Sequence, residues 1–220
     1  MPVGLSRERV RTALAGPAVL PYARPSPRGA ARASVVVALD FEPELATWVV
    51  VRSSELLDHA GELGFPGGKP HAGESLEAAA LRELEEEVGV AAADVEVLGG
   101  LTPIPVITGK FMITPFVAAL GDGARPSLAS GELVELIRAP LGGYLDGSAE
   151  THGYVVDFRG RPFVMPHFRF GERVLFGASA LILHELLLRL ARELGRALAA
   201  PVIESECPWG GRYPDEPPRD

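Results

Sequence analysis

Cysteine occurs once in this chain, at Cys207, so no internal disulfide can staple the fold, and the composition suits a reducing compartment, read here as the cytoplasm. Basic residues are also in deficit. Lys and Arg number 21 against 29 Asp and Glu, a net charge of −8. Such a field repels polyanions and argues against a nucleic-acid partner. No uncharged apolar run reaches the ~20 residues of a membrane span, and Met1 to Pro17 lacks a stretch of signal-peptide character. What remains is an ordinary globular composition, 47% hydrophobic and 23% charged over 220 residues, which suits one domain. An acidic protein handles small phosphorylated compounds only if a metal or a local basic cluster reverses the sign in its pocket, so metal-binding carboxylates are the feature to seek.

Leu5–Leu14 predicts a short helix, after which Pro17, Pro21, Pro25 and Pro27 break regular structure; residues 1–31 read as an N-terminal arm. Ser34–Leu39 and Thr47–Arg52 are β-branched apolar runs flanking a turn with Pro43, which predicts a hairpin. His59–Gly73 holds five glycines and two prolines and reads as a loop whose backbone approaches something closely. Ser75–Val88 lacks Gly and Pro, is rich in Ala, Leu and Glu, and is followed by Gly89, which predicts a helix with both ends marked. Further strands are predicted over Val95–Leu101, Ile104–Ile107, Phe111–Leu120 and Tyr154–Phe158, and Glu132–Ile137 reads as a strand edge or a loop. Leu at helical spacing between Leu175 and Ala199 predicts a C-terminal helix, and residues 201–220 read as a Pro- and Gly-rich tail, loose from Cys207 onward. Strands mixed with a few helices over residues 32–200 give an α/β sandwich with no internal repeat.

The chemistry concentrates between Gly68 and Val90. At about 100° per residue, Glu83, Glu86 and Glu87 fall within one wedge of the helix surface, while Leu81, Leu84 and Val88 form an apolar stripe on the other side. Like charges packed this closely cost stability unless a cation sits among them, and carboxylate oxygen suits hard ions such as Mg²⁺ or Mn²⁺. A merely solvated acidic face is the plain alternative. Arg82 argues against it, because a guanidinium beside the cluster can orient a carboxylate through paired hydrogen bonds. The glycine loop argues further, since bare backbone there can meet phosphate oxygens and lend a carbonyl to a metal.

These residues match the Nudix box, G-x(5)-E-x(7)-R-E-U-x-E-E-x-G-U with U aliphatic, at all nine specified positions. The resemblance implies a Nudix α/β/α sandwich with a mixed sheet, and an enzyme that hydrolyses nucleoside diphosphates linked to another moiety with Mg²⁺ or Mn²⁺. It implies Glu86 and Glu87 as principal metal ligands and Glu83 as a further ligand or the base that activates water. Arg82 would be the orienting group, Gly68 the carbonyl donor and Glu74 an outer, structural glutamate. Upstream, Arg52-Ser53, Gly61 and Phe65-Pro66-Gly67-Gly68 resemble the added signature of the coenzyme A diphosphatase subgroup. Two positions depart from it: Leu57 stands where that signature has arginine, and Glu62 where many members carry glutamine. Both changes disfavour a highly anionic substrate. ADP-ribose, a dinucleoside polyphosphate, or a module that senses a nucleotide without cutting it therefore stay open.

The resemblance adds Arg52, His59 and Gly67 as substrate-binding candidates, and Lys69 is a further one as a cation that could hold a substrate phosphate. Glu132 and Glu135, outside the box, are candidates for a general base, against a surface ion-pair role for each. Lone basic residues such as Lys69 and Lys110 are usually just solvated. His71 can brace the loop, and Phe111, Phe168 and Phe170 are more often core than a base-stacking platform. The expected partner is a small nucleotide, with no membrane, and a homodimer is left open.

Overall fold

The computed structural model describes residues 4–18, 29–54, 61–106, 110–158 and 161–209. The elements run α1 (Arg7–Ala15), β1 (Ala31–Asp40), β2 (Ala46–Arg52), β3 (Leu63–Gly64), β4 (Gly67–Gly68), α2 (Leu76–Val88), β5 (Val95–Gly100), β6 (Ile104–Pro105), β7 (Phe111–Leu120) and β8 (Leu133–Pro140). Then follow α3 (Gly142–Asp146), β9 (His152–Phe158), β10 (Arg161–Phe170), β11 (Arg173–Leu175), α4 (Gly177–Glu193) and β12 (Val202–Glu204).

The main sheet runs β3-β2-β1-β7-β5, with β4 added to β1, β6 to β7 and β8 to β2. It is mixed: β1 and β7 are parallel from Ala31↔Phe111 to Leu39↔Ala119, and the other pairs are antiparallel. Its central strands are apolar at consecutive positions because both faces are covered. On β1, Val37 and Leu39 join the core formed with α1 and α4, while Val36 and Ala38 pack with Ala80, Leu84 and Val88 of α2. On β2, Val49 and Val51 face the first core and Val50 the second. This is the α/β/α sandwich expected. Beside it lies a four-stranded sheet ordered β11-β10-β9-β12.

Strand β1 shares one edge between two partners, and this positions the site. Its C-terminal end pairs with β2 at Leu39↔Thr47 and Asp40↔Ala46, while Ser34 and Val35 pair with Gly68 and Gly67 of β4. The glycine loop is thereby carried against the sheet, directly before α2. Helix α2 starts where Ser75 Oγ accepts the Ala78 N–H at 3.1 Å, and it stops at Gly89, whose φ of 68° is left-handed.

Three differences from the sequence reading have physical causes. β10 is a full strand although Pro162 and Pro166 argue against one. Those prolines share parity, so both missing N–H groups fall on the side away from β9, where no described strand pairs with residues 161–167. The stretch from 201 is packed as far as it is described: β12 pairs in parallel with β9, and Trp209 is buried against Phe176 with rings stacked at 5.2 Å. Helix α1 likewise belongs to the core, with Val10, Ala13 and Leu14 buried, rather than forming a separate arm. β6 ends at Pro105, short of the expected strand, and α4 ends at Glu193, short of Ala199. Among the described residues, no helix is long and apolar enough to cross a membrane.

Candidate active site

Arg82 of α2 sits among three carboxylates and a loop carbonyl. Its Nε and Nη2 donate to the two oxygens of Glu74 at 3.0 and 3.2 Å, a paired arrangement that fixes the plane of the guanidinium. Its Nη1 donates to Glu83 Oε1 at 2.9 Å and Glu86 Oε2 at 3.0 Å, and Nη2 also reaches the Lys69 carbonyl at 3.1 Å. Glu74 is held from a second side by the His71 N–H at 2.7 Å. These hydrogen bonds, the arginine's first, keep the Glu74 carboxyl below its ordinary pKa and therefore charged. The outer glutamate thus clamps the loop to the helix through Arg82, and the carboxylate that receives the paired bonds is Glu74 rather than one of the three on the acidic face.

Glu87 differs from its neighbours because it is only 6% exposed. Its Oε2 accepts the Gly67 N–H at 3.0 Å, yet burial dominates and pushes its pKa up to about 7, with the nearby charges of Glu83 and Glu132 adding to the rise and Arg52 opposing it. Close approach explains both glycines: a Cβ on Gly68 would collide with the Glu83 carboxylate, and one on Gly67 with the Ser34 carbonyl. Arg52, at the end of β2, lies 3.7 Å from Glu132 through Nη2, and its Nε is buried with no hydrogen-bond partner.

The structure gathers Glu83, Glu86, Glu87, Gly67, Gly68, Arg82, Arg52 and Glu132 around the start of the loop and the exposed side of α2. The oxygens of the three helix glutamates do not close on one point: Glu83 and Glu86 lean toward Arg82, and Glu87 toward Gly67. Glu135 is not in this group, because Arg173 holds it at 2.8 Å. Gly67 offers no free amide to a phosphate, since its N–H is spent on Glu87. Lys69 places Nζ 4.9 Å over the Phe111 ring, which occupies both the cation and that aromatic face. Phe168 is fully buried edge-on to Tyr144, and Phe170 packs on the same core. The hydrogen bonds between His71 and Glu74 run through the His71 backbone, its N–H donating to the Glu74 carboxylate and its carbonyl accepting the Glu74 N–H. His59 and Leu57 lie outside the described residues.

One feature near the site escapes sequence reasoning. An open cleft of about 460 Å³, lined by Glu62, Leu63, Arg173, Phe176 and Trp209 among others, begins where β3 pairs with β2. Its signal in the sequence is a lone tryptophan amid Pro, Gly and charge.

The donor set fits a divalent cation. Hard carboxylate oxygens from one helix stand beside bare glycine backbone, and a buried glutamate with a raised pKa carries charge that a cation would relieve. A glycine loop running into an acidic helix on a mixed sheet is the frame that the resemblance to the Nudix enzymes implies. Residues 30–141 match the NUDIX domain model. The chain is 32% identical over 155 residues to the uncharacterized Nudix hydrolase NudL of Photorhabdus laumondii, covering 70% of this chain and 82% of that one. It is 31% identical over 166 residues to the NudL of Pectobacterium atrosepticum, covering 73% and 83%. Among solved structures it is similar to a MutT/Nudix family protein from Enterococcus faecalis, at a TM-score of 0.47 and 15% identity over 80% of this chain and 74% of that one. The chain belongs to the Nudix hydrolase family.

Proposed function

We propose that this Nudix hydrolase is a Mg²⁺- or Mn²⁺-dependent pyrophosphohydrolase that cuts coenzyme A or a coenzyme A derivative into 3′,5′-ADP and 4′-phosphopantetheine. The observation that carries the reading is the approach of Arg52, whose buried Nε has no hydrogen-bond partner, to buried Glu87 of the acidic helix, which in turn holds the Gly67 N–H of the Phe65-Pro66-Gly67-Gly68 loop. Glu83, Glu86 and Glu87 are the residues to hold the cation, with the backbone of Gly68 next to them. A divalent ion there neutralises the diphosphate oxygens and makes water a stronger nucleophile. Arg82 positions Glu83 and Glu86 from one side while Glu74 fixes its plane. Arg52 can turn its free donor and its loosely held Nη2 toward a substrate phosphate. Between the two glutamates outside the box, we favour Glu132 to take a proton from the attacking water, because its contact with Arg52 is long, 3.7 Å, whereas Arg173 holds Glu135 at 2.8 Å.

A second reading, ADP-ribose or a dinucleoside polyphosphate as substrate, draws on Glu62. Its side chain lines the cleft next to β2, where an added anion opposes the extra 3′-phosphate of coenzyme A. Incubating the full chain and Mn²⁺ with coenzyme A, ADP-ribose and diadenosine polyphosphates, with products separated by chromatography, discriminates the two. Turnover of coenzyme A ahead of the others is the expected result. Brisk cleavage of another member with coenzyme A untouched would overturn the substrate while leaving the enzyme class intact. Calorimetric binding of a nucleotide with no product in Mn²⁺ would instead mark a sensing module.

A further inference from the structure

We propose a second cation site, chemically unlike the first: His152 of β9, His167 of β10 and Glu204 of β12 form a two-histidine, one-carboxylate pocket for a transition-metal ion such as Zn²⁺. Strand register brings the three together. His167 is paired directly with His152, and β12 adds in parallel to β9 with Val202 opposite His152, so Glu204 returns to the same side two residues on. His152 Nδ1 lies 3.1 Å from Glu204 Oε1, and His167 Nε2 lies 3.3 Å from Glu204 Oε2. Among the described residues this is the one set of three His, Cys, Asp or Glu side chains whose donor atoms all lie within 4.8 Å of one another. A tetrahedral ion with bonds of about 2.0–2.1 Å separates its donors by roughly 3.3 Å, close to the two contacts seen.

The contacts are close but poorly directed as hydrogen bonds. His152 Nδ1 and both ring nitrogens of His167 are buried without a hydrogen-bond partner. His167 is fully buried. Buried polar atoms are ordinarily satisfied, so an imidazole edge left open toward a carboxylate and a second imidazole calls for a ligand. Arg169 Nη2 donates to both Glu204 oxygens at 2.8 Å, which secures the carboxylate but does not exhaust it, since each oxygen carries two lone pairs. Trp209 lies edge-on to His167 at 5.8 Å, and the two imidazoles stack at 5.6 Å, so the pocket has an apolar wall. Two imidazoles select a borderline ion such as Zn²⁺ over Mg²⁺, the reverse of the all-oxygen set on α2. Because Glu204 and Trp209 follow α4, an ion here would tie the stretch after that helix to β9 and β10 and hold the Trp209 wall of the cleft.

The test uses the whole chain, freed of metal with a chelator and then kept in excess Mg²⁺ to occupy the acidic helix. Zn²⁺ titration by calorimetry should show one equivalent bound, and Co²⁺ in its place should give visible bands of a nitrogen-containing, low-coordinate site. His152→Asn removes one donor while leaving buried His167 in place, so the fold is spared. It should weaken Zn²⁺ at least about 10-fold and bleach the Co²⁺ bands. Glu86→Gln should leave both unchanged. Failure of the parent chain to take up Zn²⁺ would overturn the proposal. So would uptake that survives His152→Asn and disappears in Glu86→Gln, because it would place the ion on α2.

Discussion

Helices α2 and α4 both carry arginine and glutamate four residues apart, and they treat that charge in opposite ways. On α4, Glu185 is fully buried and Arg189 is 6% exposed. Every contact there is matched: Glu185 accepts from Arg189 Nε at 2.9 Å and from the Thr102 N–H and Oγ at 3.0 and 2.8 Å, while Arg189 Nη1 caps the end of α1 at the Leu14 and Gly16 carbonyls. On α2, one guanidinium serves Glu74, Glu83 and Glu86, and Glu87 is buried beside them with only a backbone N–H. Balanced burial builds structure. Unbalanced burial leaves charge that some further cation must complete, and such sites are where function concentrates.

The sharpest way to break this contrast is to remove an acid from each helix. Glu185→Ala strands Arg189 with its charge uncompensated in the core and should cost about 3–5 kcal/mol of stability, read as a drop in the urea midpoint at unchanged slope. A cost below about 1 kcal/mol, the range of an exposed pair, would mean that the α4 array is not a lock. Glu87→Gln should do the opposite. A carboxyl whose pKa rises from 4.5 to about 7 on folding loses stability as pH climbs through that window, because the unfolded chain releases its proton first. At about 1.4 kcal/mol per pH unit, the metal-free protein should gain ~3 kcal/mol from the substitution above neutral pH. Glutamine still accepts the Gly67 N–H, so the gain should fade at acid pH and the protein should lose its stabilisation by Mg²⁺. A stability profile unchanged between acid and neutral pH would show that Glu87 carries no frustrated charge.

The two helices also differ in how much of them the sequence reveals. The α2 site is legible because its determinants are local: Ser75 and Gly89 mark the ends, and the spacing from Gly68 to Gly89 alone sets Arg82, Glu83 and Glu86 on one side. The burial of Glu87 is not legible, since it depends on β4 being drawn across the helix by pairing with Ser34 and Val35. Nor can the sequence tell Glu132 from Glu135; what separates them is Arg173, 38 residues beyond Glu135, which holds the Glu135 carboxylate at 2.8 Å. The Glu185–Arg189 lock needs Thr102 and the end of α1, both far away in the chain. β10 and β12 are hidden for the same reason: proline content and tail composition are local signals, and distant strand pairing overrides them.

Smaller effects sharpen the comparison within α2 itself. Glu86 is exposed and its pair with Arg82 resembles a surface ion pair, so Glu86→Gln should leave stability within about 1 kcal/mol of the parent. Supporting groups around metals cost 10–100-fold when lost, so removing a ligand charge should lower kcat by about 10²-fold, or ~2.7 kcal/mol, with the loss only partly restored by raised Mn²⁺. Full turnover in that variant would remove Glu86 from the site.

Arg82→Lys should have the mildest effect. Lysine keeps the positive charge but has no planar fork, so it can satisfy Glu83 or Glu86 yet cannot hold both oxygens of Glu74 and the Lys69 carbonyl together. The loop would then be free to drift from the helix while the net charge at the site stayed constant. The expected outcome is a fall in kcat of about 10-fold, a higher Mg²⁺ requirement and little change in nucleotide KM. If KM rose instead with kcat intact, Arg82 would be holding the nucleotide, and the division of labour proposed between a positioning arginine on α2 and a phosphate-binding Arg52 on β2 would have to be reversed.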